Sequence, residues 1–114
     1  MALMKICAQL NCTDMTASAD WYRSLFGRGN DVDPMEGLKE WHHGEGAGFQ
    51  LVADPAGAGH GTMTLIVRDL AGERDRLTDA GLDVGEIATG DFASFAQITD
   101  PDGNTVVLAE PKAN

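Results

Sequence analysis

ITDPDGNTVVLAEP, residues 98–111, is a turn feeding an apolar run. Asp-Pro-Asp-Gly-Asn is built from residues that tolerate turn backbone, and the Thr-Val-Val-Leu-Ala that follows has strand-forming composition. The stretch has a counterpart earlier in the chain, because QLVADP (50–55) resembles VVLAEP (106–111) at an offset of 56. Other pairs recur at nearly the same distance. KICAQLNC (5–12) leads to Asp14 and a helical stretch closed by Gly27, while TMTLIV (62–67) leads to Asp69 and a helical stretch closed by Gly81. The second half therefore reads as a diverged copy of the first.

Each half then has the order strand, helix, three strands. Asp14 and Asp69 are expected to cap their helices by accepting a backbone N–H two or three residues on, and the glycines to end them. Further strands are expected over 38–43, 48–53, 82–88, 94–99 and 104–109, with a short one within 29–36 kept at an edge by Pro34. In the first helix Trp21–Leu25 and Tyr22–Phe26 are i,i+4 pairs, offering aromatics either to the core or to a second copy of the chain. At 114 residues the default is one domain, 1–114, with module one over about 4–53, a linker at 54–61 and module two over about 62–111.

Eighteen acidic residues against eight basic ones give a net charge of −10, and the basic residues form no cluster. That excludes the phosphate-neutralising patch of a nucleic-acid binder. No apolar stretch approaches the ~20 residues that span a bilayer, and MALMK has no signal-peptide character, so no membrane partner and a cytoplasmic location are expected. Cys7 and Cys12 lie an odd number of residues apart on one strand, on opposite faces, which argues against a mutual disulfide.

The two-residue period sorts the first strand of each half. Ile6, Ala8 and Leu10 share one face, and Cys7, Gln9 and Asn11 the other; Met63, Leu65 and Val67 likewise oppose Thr62, Thr64 and Ile66. The aliphatic faces suit packing beneath the helices. The polar ones have the composition of a half-buried cleft lined for hydrogen bonding.

A strand–Asp–helix ending in WYRSLFG, a repeat beginning TLIVRDL and a closing DPDGNTVVL together resemble the vicinal-oxygen-chelate superfamily. That superfamily includes glyoxalase I, bleomycin-resistance proteins, fosfomycin-resistance proteins and extradiol dioxygenases. The resemblance runs from about residue 4 to residue 111 and implies an α+β, glyoxalase-like fold: two βαβββ modules with mixed sheets curled around a cleft, in a chain that forms a homodimer. It also implies a divalent metal held from the first and last strand of each module. The corresponding residues here are Cys7, Thr62, Leu51 and Val107, with Gln50 taking the place of Leu51 only if a bulge intervenes. This set lacks the carboxylates and imidazoles such a metal needs, so no metal and no cofactor are expected.

His42 and His43 are adjacent in one strand and so point to opposite faces. No nucleophile–base pair, phosphate loop or CxxC is present. The function expected is binding of a small-molecule ligand in a metal-free cleft, as in the bleomycin-resistance branch. The expected ligand contacts are Cys7, Gln9, Asn11, Thr62 and Thr64 from the first strands, Trp41, His43 and Phe49 from the middle of module one, and Phe95 and Gln97 from module two. Trp41 is the leading aromatic contact, unless it belongs to the core. A metal-dependent lyase, isomerase or dioxygenase with atypical ligands, and a non-catalytic dimeric scaffold, are the alternatives; whether the chain is an enzyme stays open.

Overall fold

The structure, a computed structural model, describes residues 1–113. Strand β1 (Ile6–Cys12) leads into helix α1 (Met15–Phe26), followed by β2 (Val32–Met35), β3 (Leu38–His43) and β4 (Ala47–Ala53). A 3-10 turn at Pro55–Gly57 crosses to the second module. There β5 (Thr62–Ile66) leads into α2 (Leu70–Asp79), then β6 (Ala88–Thr89), β7 (Ala93–Thr99) and β8 (Thr105–Pro111). The strands form two mixed four-stranded sheets, ordered β1-β4-β3-β2 and β5-β8-β7-β6. In each sheet the first strand runs parallel to the last strand of its module and forms one edge. This is the paired-module α+β architecture.

The caps form as the residue types require. Asp14 accepts from Ala17 N–H at 3.2 Å and Asp69 from Gly72 N–H at 3.0 Å. Gly27 ends α1 at φ +76°, where a side chain would be strained. Helix α2 has a second cap that its own sequence does not supply: Glu110, on β8, accepts from Leu70 N–H at 2.8 Å.

Both helices cover the aliphatic faces. Leu10, Cys12, Phe49, Leu51 and Trp41 in the first sheet, and Met63, Val106, Leu108, Ala96 and Ile98 in the second, are buried on that side. Tyr22 is turned wholly inward, 4.7 Å from Phe49 between ring centroids, and so leaves no aromatic ring for a partner at that position. Cys7 is exposed and Cys12 buried, both free; burial pushes the Cys12 thiol up from its ordinary value.

The opening stretch, Asp100–Asn104, joins the two modules. Asp100 is buried and accepts from Tyr22 Oη at 2.7 Å, from Asn104 Nδ2 at 2.8 Å, and from the backbone N–H groups of Asp102 and Asn104 at 2.9 Å each. Asn104 is buried with every polar atom paired: its Nδ2 also donates to Asn11 O, and its Oδ1 accepts from Gly61 N–H. Asp102 accepts from Thr13 N–H and Ser18 Oγ of module one. Gly59, at φ +86°, passes so close to Asp102 O that a Cβ there would collide with it. A second tie runs through Arg76 of α2, which donates to Ser24 O and Leu25 O at the end of α1.

Two strand expectations need correction. Residues 82–88 do not form a continuous strand: Val84 makes a single bridge to Ile98, and regular pairing resumes only at Ala88–Thr89. Leu82 and Val84 are anchored by burial rather than by a ladder. In addition, β1 and β4 pair without a bulge, Gln9 opposite Gln50 and Leu10 opposite Leu51. Gln50, not Leu51, therefore shares the face of Cys7, Gln9 and Asn11, and Leu51 is fully buried beneath α1.

Candidate functional site

Each sheet has one face beneath a helix and one face open, and the ladder register places the open-face residues in rows. Across the first sheet these rows are Cys7–Gly48–His42, Gln9–Gln50–Glu40 and Asn11–Val52–Leu38. Across the second they are Thr62–Thr105–Thr99, Thr64–Val107–Gln97 and Ile66–Ala109–Phe95–Ala88. No residue of these rows is fully buried.

The first sheet carries a hydrogen-bonded chain across three strands. Gln9 Nε2 donates to Gln50 Oε1 at 3.1 Å, Gln50 Nε2 to Glu40 Oε2 at 2.6 Å, and His42 Nε2 lies 3.2 Å from Glu40 Oε1. The Gln50 amide, and after it His42, hold the Glu40 carboxyl below the usual carboxylate range. Cys7 stands beside this chain, with its Sγ and the Lys5 side chain lying over the bare backbone of Gly48.

Seven of the ten residues expected from the sequence lie on the open faces, Cys7, Gln9 and Asn11 on the first sheet and Thr62, Thr64, Phe95 and Gln97 on the second. Trp41, Phe49 and His43 are on the opposite side. Trp41 is fully buried, packs between Phe26, Phe49 and Tyr22, and donates its Nε1–H to Arg28 O at 2.9 Å. Phe49 faces Trp41 across the β3–β4 ladder within the same core. As a cleft contact Trp41 is corrected to a core residue, while Phe49 belongs to the same core and touches the groove between the modules only by its edge. His43 leans on Phe26 at 4.9 Å, and burial, with the Arg28 charge acting in the same sense, pushes its imidazole below the ordinary value.

His43 and Phe49 border a groove of about 810 Å³ between the modules, lined also by Ile6, Ala8, Met63 and Leu65 and, from the open-face rows, by Thr64 and Ile66. The residues that sequence reasoning missed are Glu40 and His42, and Gln50 reaches this face without the bulge expected for it. LKEWHH has no clean apolar alternation, so the sequence does not tell whether Trp41 or Glu40 is on the open face. The signal that separates them is the cross-strand pair Trp41–Phe49, two large aromatics on one face, which marks that face as the buried one.

The four positions implied for a divalent metal are thus Cys7, Gln50, Thr62 and Val107. They offer a thiol, an amide, a hydroxyl and a hydrocarbon, with no carboxylate or imidazole, and this does not fit the hard or borderline cation of the resemblance. Among the described residues no three His, Cys, Asp or Glu side chains are grouped to hold a metal ion.

Residues 5–109 match a family described as a glyoxalase-like domain. No match is found among curated proteins. Among solved structures, a glyoxalase/bleomycin resistance protein from Catenulispora acidiphila is 29% identical, with 96% of this chain and 99% of that chain covered and a TM-score of 0.88. An antibiotic-binding protein from a Streptomyces species is 22% identical over 98% and 99% of the two chains, TM-score 0.85. A bleomycin resistance determinant encoded on a transposon is 20% identical over 96% and 98%, TM-score 0.77.

Proposed function

The chain belongs to the glyoxalase-like family, and from that premise we propose that it binds a small molecule on its open sheet faces without using a metal. The observation that carries this is the composition of those faces. They hold amides, hydroxyls and exposed apolar side chains in ordered rows, while the large buried side chains are on the other side of both sheets. The donor set at the four implied metal positions favours binding over Lewis-acid chemistry. The names of two structural relatives, an antibiotic-binding protein and a bleomycin resistance determinant, point the same way.

Thermal melting tests the reading. Against nickel, zinc and manganese salts the melting temperature is expected to stay within about 2 °C. A panel of small aromatic and peptide antibiotics is expected to contain at least one compound that stabilises. A ligand at a hundred times its Kd adds about 2.7 kcal/mol, or roughly 10 °C for a chain of this size. Stoichiometric metal uptake with a shift of that size would return the protein to the metal-dependent enzymes.

The ligand surface is completed, in this reading, by a second copy. Strands β1 and β5 end their sheets beside one another, with Leu10 against Gly61 and Asn104 Nδ2 donating to Asn11 O, and Ile6, Ile66, Leu3 and Met4 remain exposed around that seam. Exposed apolar side chains grouped in this way suit a contact with another protein surface. Sedimentation equilibrium at micromolar concentration is expected to give twice the mass of one chain; the mass of a single chain would remove this part of the proposal.

A further inference from the structure

The groove between the modules has a chemistry of its own. It follows β5 from Met63 to Val67 and takes in Ile6 and Ala8 of β1. Its lining is mostly aliphatic, and only His43, Thr64, Glu73 and Arg76 bring polar side-chain atoms. Glu73 and Arg76 pair at 2.9 Å, and Arg76 gives its other donors to Ser24 O and Leu25 O, so this pair leaves no net charge in the groove. Burial and the Arg28 charge push the His43 imidazole below its ordinary value, which keeps it neutral at pH 7. Beside Gly48 the situation differs. The Lys5 side chain lies over this bare stretch of backbone, which also lines the groove, with its Cε 3.0 Å from where a Cβ would stand. Among the described residues Lys5 forms no salt bridge. Glu40 feels its charge, but the Glu40 oxygens are engaged by Gln50 and His42. An unpaired cation thus stands at the edge of an apolar groove that has no unpaired charge of its own.

We propose that this groove is a second binding site, for an unbranched aliphatic carboxylate whose hydrocarbon chain lies along β5 and whose head meets Lys5. The site goes beyond the binding role argued above and does not depend on it. Aliphatic walls favour a hydrocarbon, and one unpaired ammonium beside them favours a single anionic head. The dimensions set the chain length. Five strand residues, Met63 to Val67, span about 13 Å, and a zigzag carbon chain advances about 1.25 Å per bond, so about ten carbons match the groove. Magnitudes decide which part of the ligand dominates. Each methylene taken out of water strengthens binding about fourfold. An ion pair at a half-buried lysine adds about fivefold at most. The chain therefore holds the molecule and the head orients it.

Calorimetric titration of the full-length protein at pH 7 with hexanoate, octanoate, decanoate and dodecanoate tests this. Affinity is expected to rise at least fivefold with each pair of added methylenes up to decanoate, and then to level off. Ile66→Glu places a charge on the groove wall at an exposed position. It should weaken decanoate at least tenfold while the melting temperature stays within about 2 °C. Lys5→Gln should weaken decanoate about two- to fivefold and leave 1-decanol unchanged. An equal loss for decanoate and 1-decanol in Lys5→Gln would overturn the placing of the head. Affinities that do not grow with chain length, or no uptake of decanoate by a sample whose melting curve shows it folded, would overturn the site. So would decanoate binding that weakens as the protein concentration is raised, since a second copy would then be filling the groove. None of these results touches the antibiotic panel, whose failure removes the binding role on the open faces instead.

Discussion

Asp100→Ala is expected to lower the melting temperature more than any substitution on the open faces. The carboxylate accepts four hydrogen bonds in a buried setting, from Tyr22 Oη, Asn104 Nδ2 and two backbone N–H groups. Alanine leaves all four donors without that partner. Each stranded buried donor costs about 1–3 kcal/mol. Because the turn can partly relax toward water, we expect a net loss of about 3–5 kcal/mol, or roughly 12–20 °C in melting temperature. Tyr22→Phe removes only one donor and should cost about 1 kcal/mol. A similar, small loss for both variants in calorimetry would show that the turn does not hold the modules together. Burial and the Asp100 hydrogen bond also drive the Tyr22 phenol far above its ordinary pKa, so this contact keeps its proton through the alkaline range.

Much of this was legible in the sequence. Asp14, Asp69 and Gly27 announced the helices because capping is a local matter, decided within three or four residues. The faces of β1 and β5 were legible because both strands alternate cleanly. The DPDGN turn was legible as a turn, but its bonds to Tyr22, Ser18 and Thr13 join residues some eighty positions apart, and no periodicity reports on such pairs. The repeat offset failed at the end of module one for a related reason. Matching QLVADP to VVLAEP by letters set Leu51 against Val107, whereas the ladders set Gln50 opposite Gln9 and Val107 opposite Thr64. Strand register is fixed by neighbours across the sheet, and a one-residue slip exchanges the faces. In β3 the same ambiguity sent Trp41 to the wrong side.

Trp41→Ala should accordingly act on stability and leave ligand binding nearly unchanged. The side chain is fully buried, touches Phe26, Phe49 and Tyr22, and holds Arg28 O through its indole N–H. Truncation removes a large contact area and opens a cavity, at a cost of about 3–5 kcal/mol. Trp41→Phe retains most of the packing and should lose about half of that. Paired measurements decide the matter: urea unfolding for stability, and titration of the folded Trp41→Phe protein with the stabilising compound from the antibiotic panel, the probe, for binding. A Trp41→Phe protein of near-normal stability that bound the probe tenfold more weakly would restore Trp41 to the ligand site.

The segregation of the two sheet faces has a consequence for how such a protein diverges. All the fully buried side chains lie under the helices or in the Asp100–Asn104 turn, and none belongs to the open rows. Exchanges at Thr62, Gln97 or Asn11 therefore fall among surface substitutions, which usually shift stability by no more than about 0.5 kcal/mol. Under the proposed binding role, these positions can change one residue at a time without putting folding at risk.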